Sequence, residues 1–235
     1  MAGFVDRTFH EKLLSADREN VAPVLYSVKE NTVVEEQLRE ALATLRGGGL
    51  VAYPTDTVYG LGANALDTRA VQRIFEAKGR PTTQPLPLLV ADLPMLKQTA
   101  VLVSPTAETL AQRFLPGPLT LVLHKSSWVP AAVTGGGPTV AVRIPGHEIP
   151  RALSAGLDAP LVGTSANPSG APSVTSAEEV RRQLGGLVDY VMDGECSGGR
   201  ESTVLDLTRD PPVILRQGAI ARREIERVLG LAVAP

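Results

Sequence analysis

The chain has 235 residues, of which 43% are hydrophobic and 20% are charged, and its formal net charge is -2. This composition excludes an intrinsically disordered chain, because disorder combines low hydrophobicity with high net charge. The near balance of 23 basic and 25 acidic residues also excludes a protein that holds nucleic acid by a large excess of positive charge.

The first half of the chain is predicted to alternate between helices and strands. Residues 1–22 are charged and weakly periodic, and we expect an N-terminal extension that is either frayed or contains a short helix. Helix caps and apolar periodicity predict the elements that follow. They are a strand at 24–28, a helix capped at 31 or 32 and ended by 47–49, a strand at 50–53, a loop at 54–62, a helix capped at 67 or 68 and ending near 78–79, a strand at 86–91, and a helix from 104–105 to 114.

The second half contains more strands than helices. The predicted strands lie at 119–123, 139–144, 161–164, 187–192, 203–207 and 213–216, and the predicted helices at 147–155, from 175 or 176 to 185, and at 222–229. Several strands therefore follow one another without a helix between them. This order predicts an α/β protein with an open mixed sheet flanked by helices, not a purely parallel doubly wound sheet. No long linker divides the chain, which predicts a single domain over 23–235.

Cysteine content and hydropathy predict a cytoplasmic protein. Cys196 is the single cysteine, so the chain forms no internal disulfide and no thiolate metal cage. No uncharged apolar run approaches the roughly 18 residues of a membrane helix. The first residues show no basic region followed by an apolar stretch, so we expect no secretory signal.

Two polar segments follow predicted elements in the first half. The loop at 54–62 carries hydroxyls at Thr55 and Thr57 beside glycines, which suits either a polar ligand or a turn with capping hydroxyls. Lys78 and Arg80 lie one residue apart at a helix end, an arrangement that suits phosphate oxygens. The same pair also suits a solvated helix terminus.

Two further polar segments lie in the second half. The loop at 163–170 contains hydroxyls, an amide and two glycines directly after a strand, a pattern typical of loops that bind phosphate or nucleotide. It lacks the Walker pattern of a P-loop. The last segment is the strand end at 215–218 with Arg216, preceded by the tripeptide at 201–203.

Taken in order, these segments resemble the YrdC-domain threonylcarbamoyl-AMP synthases over about residues 30–230. The resemblance depends on seven motifs, none specific alone but highly specific in this order and spacing. They are Tyr-Pro-Thr-Asp-Thr-Val-Tyr-Gly-Leu-Gly at 53–62, Lys-x-Arg-Pro at 78–81, Pro-Gly-Pro-Leu-Thr at 116–120, Val-Ala-Val-Arg-Ile-Pro at 140–145, Ser-Ala-Asn at 165–167, Glu-Ser-Thr at 201–203 and Leu-Arg at 215–216.

The resemblance implies both a fold and a reaction. Family members have an open, twisted mixed sheet around a concave electropositive pocket. They make threonylcarbamoyl-AMP and pyrophosphate from L-threonine, bicarbonate or CO2, and ATP, and other proteins then transfer the threonylcarbamoyl group to tRNA. The chain resembles the single-domain form of the family, without the C-terminal domain of longer members.

The resemblance also assigns roles to individual residues. Lys78 and Arg80 are the expected catalytic residues and, with three others, face ATP: Ser165, Asn167 and Arg216. Five residues are expected to bind threonine: Thr55, Thr120, Ala141, Arg143 and Ser202. Many relatives have a histidine in the strand after Lys-x-Arg-Pro, where this chain has Leu89.

The implied chemistry needs no activated side-chain nucleophile. The attacking group is the carboxylate of N-carboxy-threonine, so the three histidines (His10, His124 and His147) and Cys196 are expected to be ordinary residues. The reaction needs cations around the phosphorus, which we expect Lys78, Arg80, Arg143 and Arg216 to supply. Mg²⁺ is expected to be held through phosphate oxygens, with no metal site built by the protein.

Two other functions fit parts of the sequence. Related domains in hydrogenase-maturation and antibiotic-carbamoylating enzymes transfer carbamoyl groups, but they lie in longer chains with zinc fingers or second catalytic domains. An RNA-binding or ribosome-maturation module is the second alternative. The net charge and the aromatic content of 4% argue against RNA binding as the main activity and leave room for a weak, salt-dependent affinity.

Overall fold

A computed structural model describes residues 32–198 and 200–234. The N-terminal extension predicted at 1–22 and the strand predicted at 24–28 lie outside these residues. The single domain over 23–235 therefore stays a prediction. Within the described residues, no helix is both long enough and apolar enough to cross a bilayer.

Helices occur throughout the described part of the chain. They are α1 (Thr32–Arg46), α2 (Thr68–Lys78), α3 (Leu93–Thr99), α4 (Pro105–Phe114), α5 (Ala131–Thr134), α6 (Glu148–Leu157), α7 (Ala177–Leu184) and α8 (Arg222–Leu229), with a 3₁₀ turn at Gly185–Leu187. Side-chain caps fix several of their starts, as predicted for Asp67 before α2 and Ser104 before α4.

The strands are short and belong to two sheets. They are β1 (Val51–Tyr53), β2 (Gly60–Gly62), β3 (Leu88–Leu89), β4 (Leu119–His124), β5 (Thr139–Arg143), β6 (Leu161–Val162), β7 (Thr164–Ser165), β8 (Tyr190–Val191), β9 (Thr203–Asp206) and β10 (Val213–Arg216). One sheet has the order β7-β2-β1-β8, and the other has the order β10-β9-β4-β5-β3-β6. Each sheet contains both parallel and antiparallel pairs.

The mixed α/β class is confirmed, but the strands do not form the one sheet that the sequence predicted. The strand predicted at 161–164 divides at Gly163, so that β6 joins the six-stranded sheet and β7 joins the four-stranded sheet. Gly163 permits this change because Leu89 packs against its backbone: a Cβ there would lie 2.3 Å from Cγ of Leu89.

Other predicted boundaries were wrong for local reasons. The strand predicted at 86–91 is reduced to β3, because Pro85 and Pro87 have no N–H for a ladder. The strand predicted at 187–192 is reduced to β8 after the 3₁₀ turn. The loop predicted at 54–62 contains β2, and the short helices α3 and α5 were not predicted.

Two hydrophobic clusters hold these layers together. The larger cluster includes Leu121 and Val142 from the six-stranded sheet and Ala52 and Leu61 from the four-stranded sheet. The smaller cluster packs α1 and α6 against residues of both sheets. The hydroxyl of Tyr53 in β1 also donates to the carbonyl of Val162 in β6 at 3.1 Å. The two sheets are thus joined by packing and by a direct hydrogen bond.

Candidate active site

One cavity of about 460 Å³ takes residues from both sheets and from the loops between them. All ten residues that the resemblance singled out line it: Thr55, Lys78, Arg80, Thr120, Ala141, Arg143, Ser165, Asn167, Ser202 and Arg216. They come from positions as far apart as 55 and 216, so only the tertiary fold brings them together.

The six-stranded sheet supplies one wall of the cavity. Ala141 and Arg143 lie two residues apart on β5 and so point to the same face. Arg143 pairs in register with Leu89 of β3, which also lines the cavity. On β10 the register shifts between Ile214 and Arg216. This bulge lets Leu215 and Arg216, although neighbours, both line the cavity.

Arg143 is buried, and all three of its guanidinium nitrogens donate hydrogen bonds. Nε donates to the carbonyl of Gly117 at 2.8 Å, Nη1 to Oγ1 of Thr57 at 3.2 Å, and Nη2 to Oδ1 of Asp56 at 2.5 Å. Burial lowers the pKa of Arg143, and the Asp56 carboxylate opposes that shift. Because a buried charge needs a partner, Asp56 stabilises the arginine at the cavity wall.

The Thr55–Thr57 loop is fixed by its own hydroxyls. Oγ1 of Thr55 donates to the carbonyl of Val58 at 2.7 Å and lies 2.9 Å from Oγ1 of Thr57. Since the single hydroxyl proton of Thr55 is used on Val58, Thr57 is the donor between the two threonines. The turn interpretation and the ligand interpretation are therefore compatible, because Thr55 and Thr57 also line the cavity.

A second arginine lies at the opposite side of the same wall. Nε of Arg216 donates to the carbonyl of Ser202 and Nη2 donates to its Oγ, both at 3.2 Å. Nη1 forms an ion pair with Glu201. The hydroxyls of Ser202 and Thr120 share a hydrogen bond of 2.8 Å. These contacts join β4 and β10 to the residues directly before β9.

Lys78 and Arg80 enter the cavity from the end of α2. Gly79 between them has φ of 59°, and the N–H groups of Gly79 and Arg80 donate to Glu76 and Phe75. This left-handed turn ends the helix. Burial, followed by the neighbouring Arg80, lowers the pKa of Lys78 to about 8, and Glu201 acts in the opposite direction.

The loop after β7 is held by Lys78. Nζ donates to the carbonyls of Ser165 and Asn167, each at 2.5 Å. The amide nitrogen of Asn167 donates to the carbonyls of Pro168 and Ala171. Its Oδ1 is buried and has no hydrogen-bond partner, which leaves an acceptor for a donor on a ligand.

Sequence reasoning missed the apolar part of the cavity and its acidic residue. Val122, Val204 and Leu215 line it together with Leu89. Val122 and Val204 lie two residues after Thr120 and Ser202, so strand alternation is the signal that places them on the same face. Glu201 was noted only as part of a motif, although it is the single carboxylate among the lining residues that the structure describes.

The described histidines and the cysteine lie outside the cavity. His147 caps α6 by accepting from the N–H of Ile149 at 3.2 Å, and burial lowers its pKa. Burial raises the pKa of Cys196. Within the described part of the chain, neither residue type lines the cavity. His10 lies outside that part.

The described residues do not offer a Mg²⁺ site of their own. They contain no group of three or more His, Cys, Asp or Glu side chains placed to hold a metal ion. In the cavity, Glu201 is the single carboxylate among the described lining residues, and it is already paired with the Arg216 cation. Such a site does not fit a resident divalent ion.

A protein-family model matches most of the chain. The model of the Sua5, YciO and YrdC family, described as "Telomere recombination", matches residues 43–218. The chain belongs to this family. A curated Sua5/YciO/YrdC relative from Halorhodospira halophila, named threonylcarbamoyl-AMP synthase, is 41% identical over 188 residues, which cover 80% of this chain and 94% of that protein.

Two findings from Pyrococcus abyssi agree with this membership. A curated threonylcarbamoyl-AMP synthase is 50% identical over 208 residues, covering 88% of this chain. A solved structure described as P. abyssi Sua5 complexed with L-threonine has a TM-score of 0.82 and 51% identity, covering 86% of this chain and 60% of that chain. The present chain spans 61% of the length of the curated Pyrococcus relative.

Proposed function

We propose that this chain is an L-threonylcarbamoyl-AMP synthase, a nucleotidyltransferase that forms threonylcarbamoyl-adenylate and pyrophosphate from L-threonine, bicarbonate or CO2, and ATP. The observation that carries the proposal is the convergence in one cavity of the four predicted cations with the five predicted hydroxyl or amide side chains, Thr55, Thr120, Ser165, Asn167 and Ser202. A triphosphate needs cations around it, and a small zwitterion needs both charged and neutral hydrogen-bonding partners. The names of the family relatives support the same reaction.

Lys78, Arg80, Arg216, Ser165 and Asn167 are proposed to bind ATP. Nη2 of Arg80 now donates to the carbonyl of Pro85 at 2.9 Å, and phosphate oxygens compete well for such a donor because they carry charge. The free Oδ1 of Asn167 can accept from a hydroxyl or amino group of the nucleotide. Lys78 adds a point charge where the phosphates would lie.

Thr55, Thr120, Ala141, Arg143 and Ser202 are proposed to bind threonine. Arg143 supplies the positive charge that a substrate carboxylate requires, and its remaining N–H groups are available because each Nη carries two. The hydroxyl pair of Thr120 and Ser202 can exchange hydrogen bonds with the substrate. Ala141 leaves room above β5, and Leu89 presents an apolar surface where many relatives have a histidine.

The reaction is proposed to be an in-line attack on the α-phosphorus. The nucleophile is the carboxylate oxygen of N-carboxy-threonine; it forms a bond to phosphorus while the bond to pyrophosphate breaks. Lys78, Arg80 and Arg216 stabilise the charge that builds on the phosphate oxygens. Mg²⁺, when bound to ATP through phosphate oxygens, neutralises further charge.

The product is proposed to serve tRNA modification in the cytoplasm. Threonylcarbamoyl-adenylate is a mixed anhydride, so a transferase protein must take the acyl group before water does. That transferase would deliver it to tRNA to form threonylcarbamoyladenosine. A weak, salt-dependent affinity of the chain for RNA is compatible with such a transfer of the threonylcarbamoyl group to tRNA.

The test is pyrophosphate release from ATP, with mass-spectrometric detection of threonylcarbamoyl-AMP. Release should require both L-threonine and bicarbonate. Arg80→Ala and Lys78→Ala should each lower the rate on the order of 100-fold. Arg69→Ala, on the exposed side of the same helix α2, is the matched control and should keep the wild-type rate.

Three results would contradict the proposal. Pyrophosphate release that does not depend on threonine or on bicarbonate would exclude the synthase reaction. Turnover of carbamoyl phosphate in their place would favour a carbamoyl-transfer domain. Retention of RNA without any pyrophosphate release would favour a binding module.

A further inference from the structure

Positive side chains outnumber negative ones among the described residues that line the cavity. Four cations face it, from Lys78, Arg80, Arg143 and Arg216, and among the described lining residues only Glu201 opposes them. Such an excess of positive charge suits a triphosphate. It is unfavourable for the ammonium group of an amino acid, which is repelled unless a carboxylate lies beside it.

Glu201 has the contacts and the exposure needed to receive a ligand. Oε2 pairs with Arg216, and Oε1 accepts from Oγ of Ser173 at 2.7 Å. Each carboxylate oxygen accepts two hydrogen bonds, so both oxygens keep capacity. The side chain is 34% exposed, which leaves part of it open to the cavity. Glu201 is thus anchored at two points without being saturated.

The position of Glu201 matches the connectivity of the proposed product. In threonylcarbamoyl-adenylate, the amine nitrogen is joined to the α-phosphorus through one carbon and one oxygen. The nitrogen must therefore lie where the threonine-binding and ATP-binding residues meet. Ser202, on the threonine side, and Arg216, on the ATP side, touch each other. Glu201 precedes Ser202 in the chain and is paired with Arg216, so it lies at this junction.

Resting on the proposed function, we propose that Glu201 binds the α-ammonium group of the amino-acid substrate and selects an amino acid over the corresponding hydroxy acid. Arg143 takes the substrate carboxylate, and the Thr120–Ser202 pair lies between the two charges. Arg216 holds the Glu201 carboxylate toward the junction, and Ser173 fixes its other oxygen. The zwitterionic substrate is then bound at its carboxylate by Arg143 and at its ammonium group by Glu201.

The experiment measures binding to the full chain by titration calorimetry, with L-threonine and with 2,3-dihydroxybutanoate of the same stereochemistry, which has a hydroxyl in place of the amine. The wild-type chain should prefer threonine about 10- to 100-fold, because the ammonium makes a charge-assisted hydrogen bond. Glu201→Gln should abolish that preference. The variant also removes the ion pair of Arg216, which is assigned to ATP, so the affinity for a non-hydrolysable ATP analogue should be unchanged or higher, because one opposing negative charge is gone.

Two further variants separate charge from folding. Glu178→Gln removes the same charge from the exposed first turn of α7 and should keep the wild-type preference. Glu201→Asp keeps the charge on a shorter side chain and should keep part of the preference. Circular dichroism establishes whether each variant is folded. If Glu201→Gln is unfolded, the preference for threonine is measured on Glu201→Asp instead.

The outcomes distinguish this inference from the function on which it rests. A folded Glu201→Gln chain that still prefers threonine would overturn the role of Glu201 while leaving the synthase proposal intact. The same holds if the variant loses affinity for the ATP analogue and keeps its preference, because Glu201 would then only orient Arg216. A wild-type chain that binds neither threonine nor the ATP analogue would overturn the proposed function itself.

Discussion

At the scale of single residues, Lys78 and Arg143 show two different ways of keeping a cation at a cavity wall. Arg143 is compensated by the carboxylate of Asp56, with side-chain exposures of 6% and 13% for the two residues. Lys78 has two carbonyl acceptors and no carboxylate in contact. Its charge is therefore poorly compensated, and its pKa falls to about 8. A phosphate group would supply the missing negative charge.

This difference predicts a pH dependence for nucleotide binding. Above pH 8, Lys78 is increasingly neutral in the empty cavity, whereas a bound triphosphate favours the charged form and raises the pKa. Affinity for an ATP analogue should therefore fall as pH rises above about 8. At pH 8, binding should take up about half a proton, measured by calorimetry in two buffers of different ionisation enthalpy.

The same shift fixes the sign of the effect on stability. Between about pH 8 and the ordinary lysine value of 10.5, the unfolded chain binds a proton at Lys78 that the folded chain has released. The stability contributed by Lys78 thus rises with pH in this window.

A control variant tests the predicted proton uptake on nucleotide binding. Lys78→Arg, which stays charged, should bind the ATP analogue without proton uptake. Binding by the wild-type chain with no proton uptake would contradict the assignment of the phosphates to Lys78.

At the scale of elements, the helices with clear caps and the longer strands could be predicted from the sequence, and the shortest strands could not. Asp67 and Ser104 mark their helices by residue type alone. β2 is different, because Gly60 and Gly62 flank Leu61 and offer no alternating pattern. The ring of Tyr53 lies against both glycines, where a Cβ would come within 2.6 Å of it. Only tertiary packing explains why this glycine-rich segment forms a strand.

The candidate site was predictable to a similar extent. Single residues left open whether Lys78 and Arg80 bind an anion or only end a helix, and the order of the seven motifs decided in favour of a site. The bulge at Leu215 and Arg216 has no sequence signal, because it depends on the register between β9 and β10. For the same reason the apolar wall of the cavity was not predicted.

The turn at the end of α2 should be sensitive to the backbone of one residue. Gly79 has φ of 59°, with no atom within 4 Å of an added Cβ. Gly79→Ala should thus cost about 1 kcal/mol of unfolding free energy through conformation alone. Urea unfolding measures this. Gly186→Ala is the control, because Gly186 also faces open space but has no positive φ, and it should leave stability unchanged or slightly raised.

The same substitution also tests how the turn serves the cavity. Lys78 and Arg80 lie on either side of Gly79, so strain at this turn should move both cations relative to the phosphates. Gly79→Ala should raise the KM for ATP more than the KM for threonine. Unchanged KM values for both substrates would show that the turn contributes only to stability.

At the scale of the whole molecule, the cavity draws on both sheets. Gly60, Thr164 and Ser165 come from the four-stranded sheet, and Thr120 and Arg143 come from the six-stranded sheet. Leu89 packs in the smaller hydrophobic cluster and also lines the cavity. A ligand that touches both walls therefore adds to contacts that already join the sheets.

This arrangement predicts that ligands stabilise the molecule as a unit. At 100 times its Kd, an ATP analogue should raise the unfolding free energy by about 2.7 kcal/mol, which corresponds to roughly 5–10 °C in Tm for a chain of this size. Hydrogen exchange should slow in the loops at 54–59 and 163–170 and in the segment at 201–218. Protection confined to the loops of one sheet would contradict a shared cavity, because the local opening of a loop is slowed most where the ligand contacts that loop.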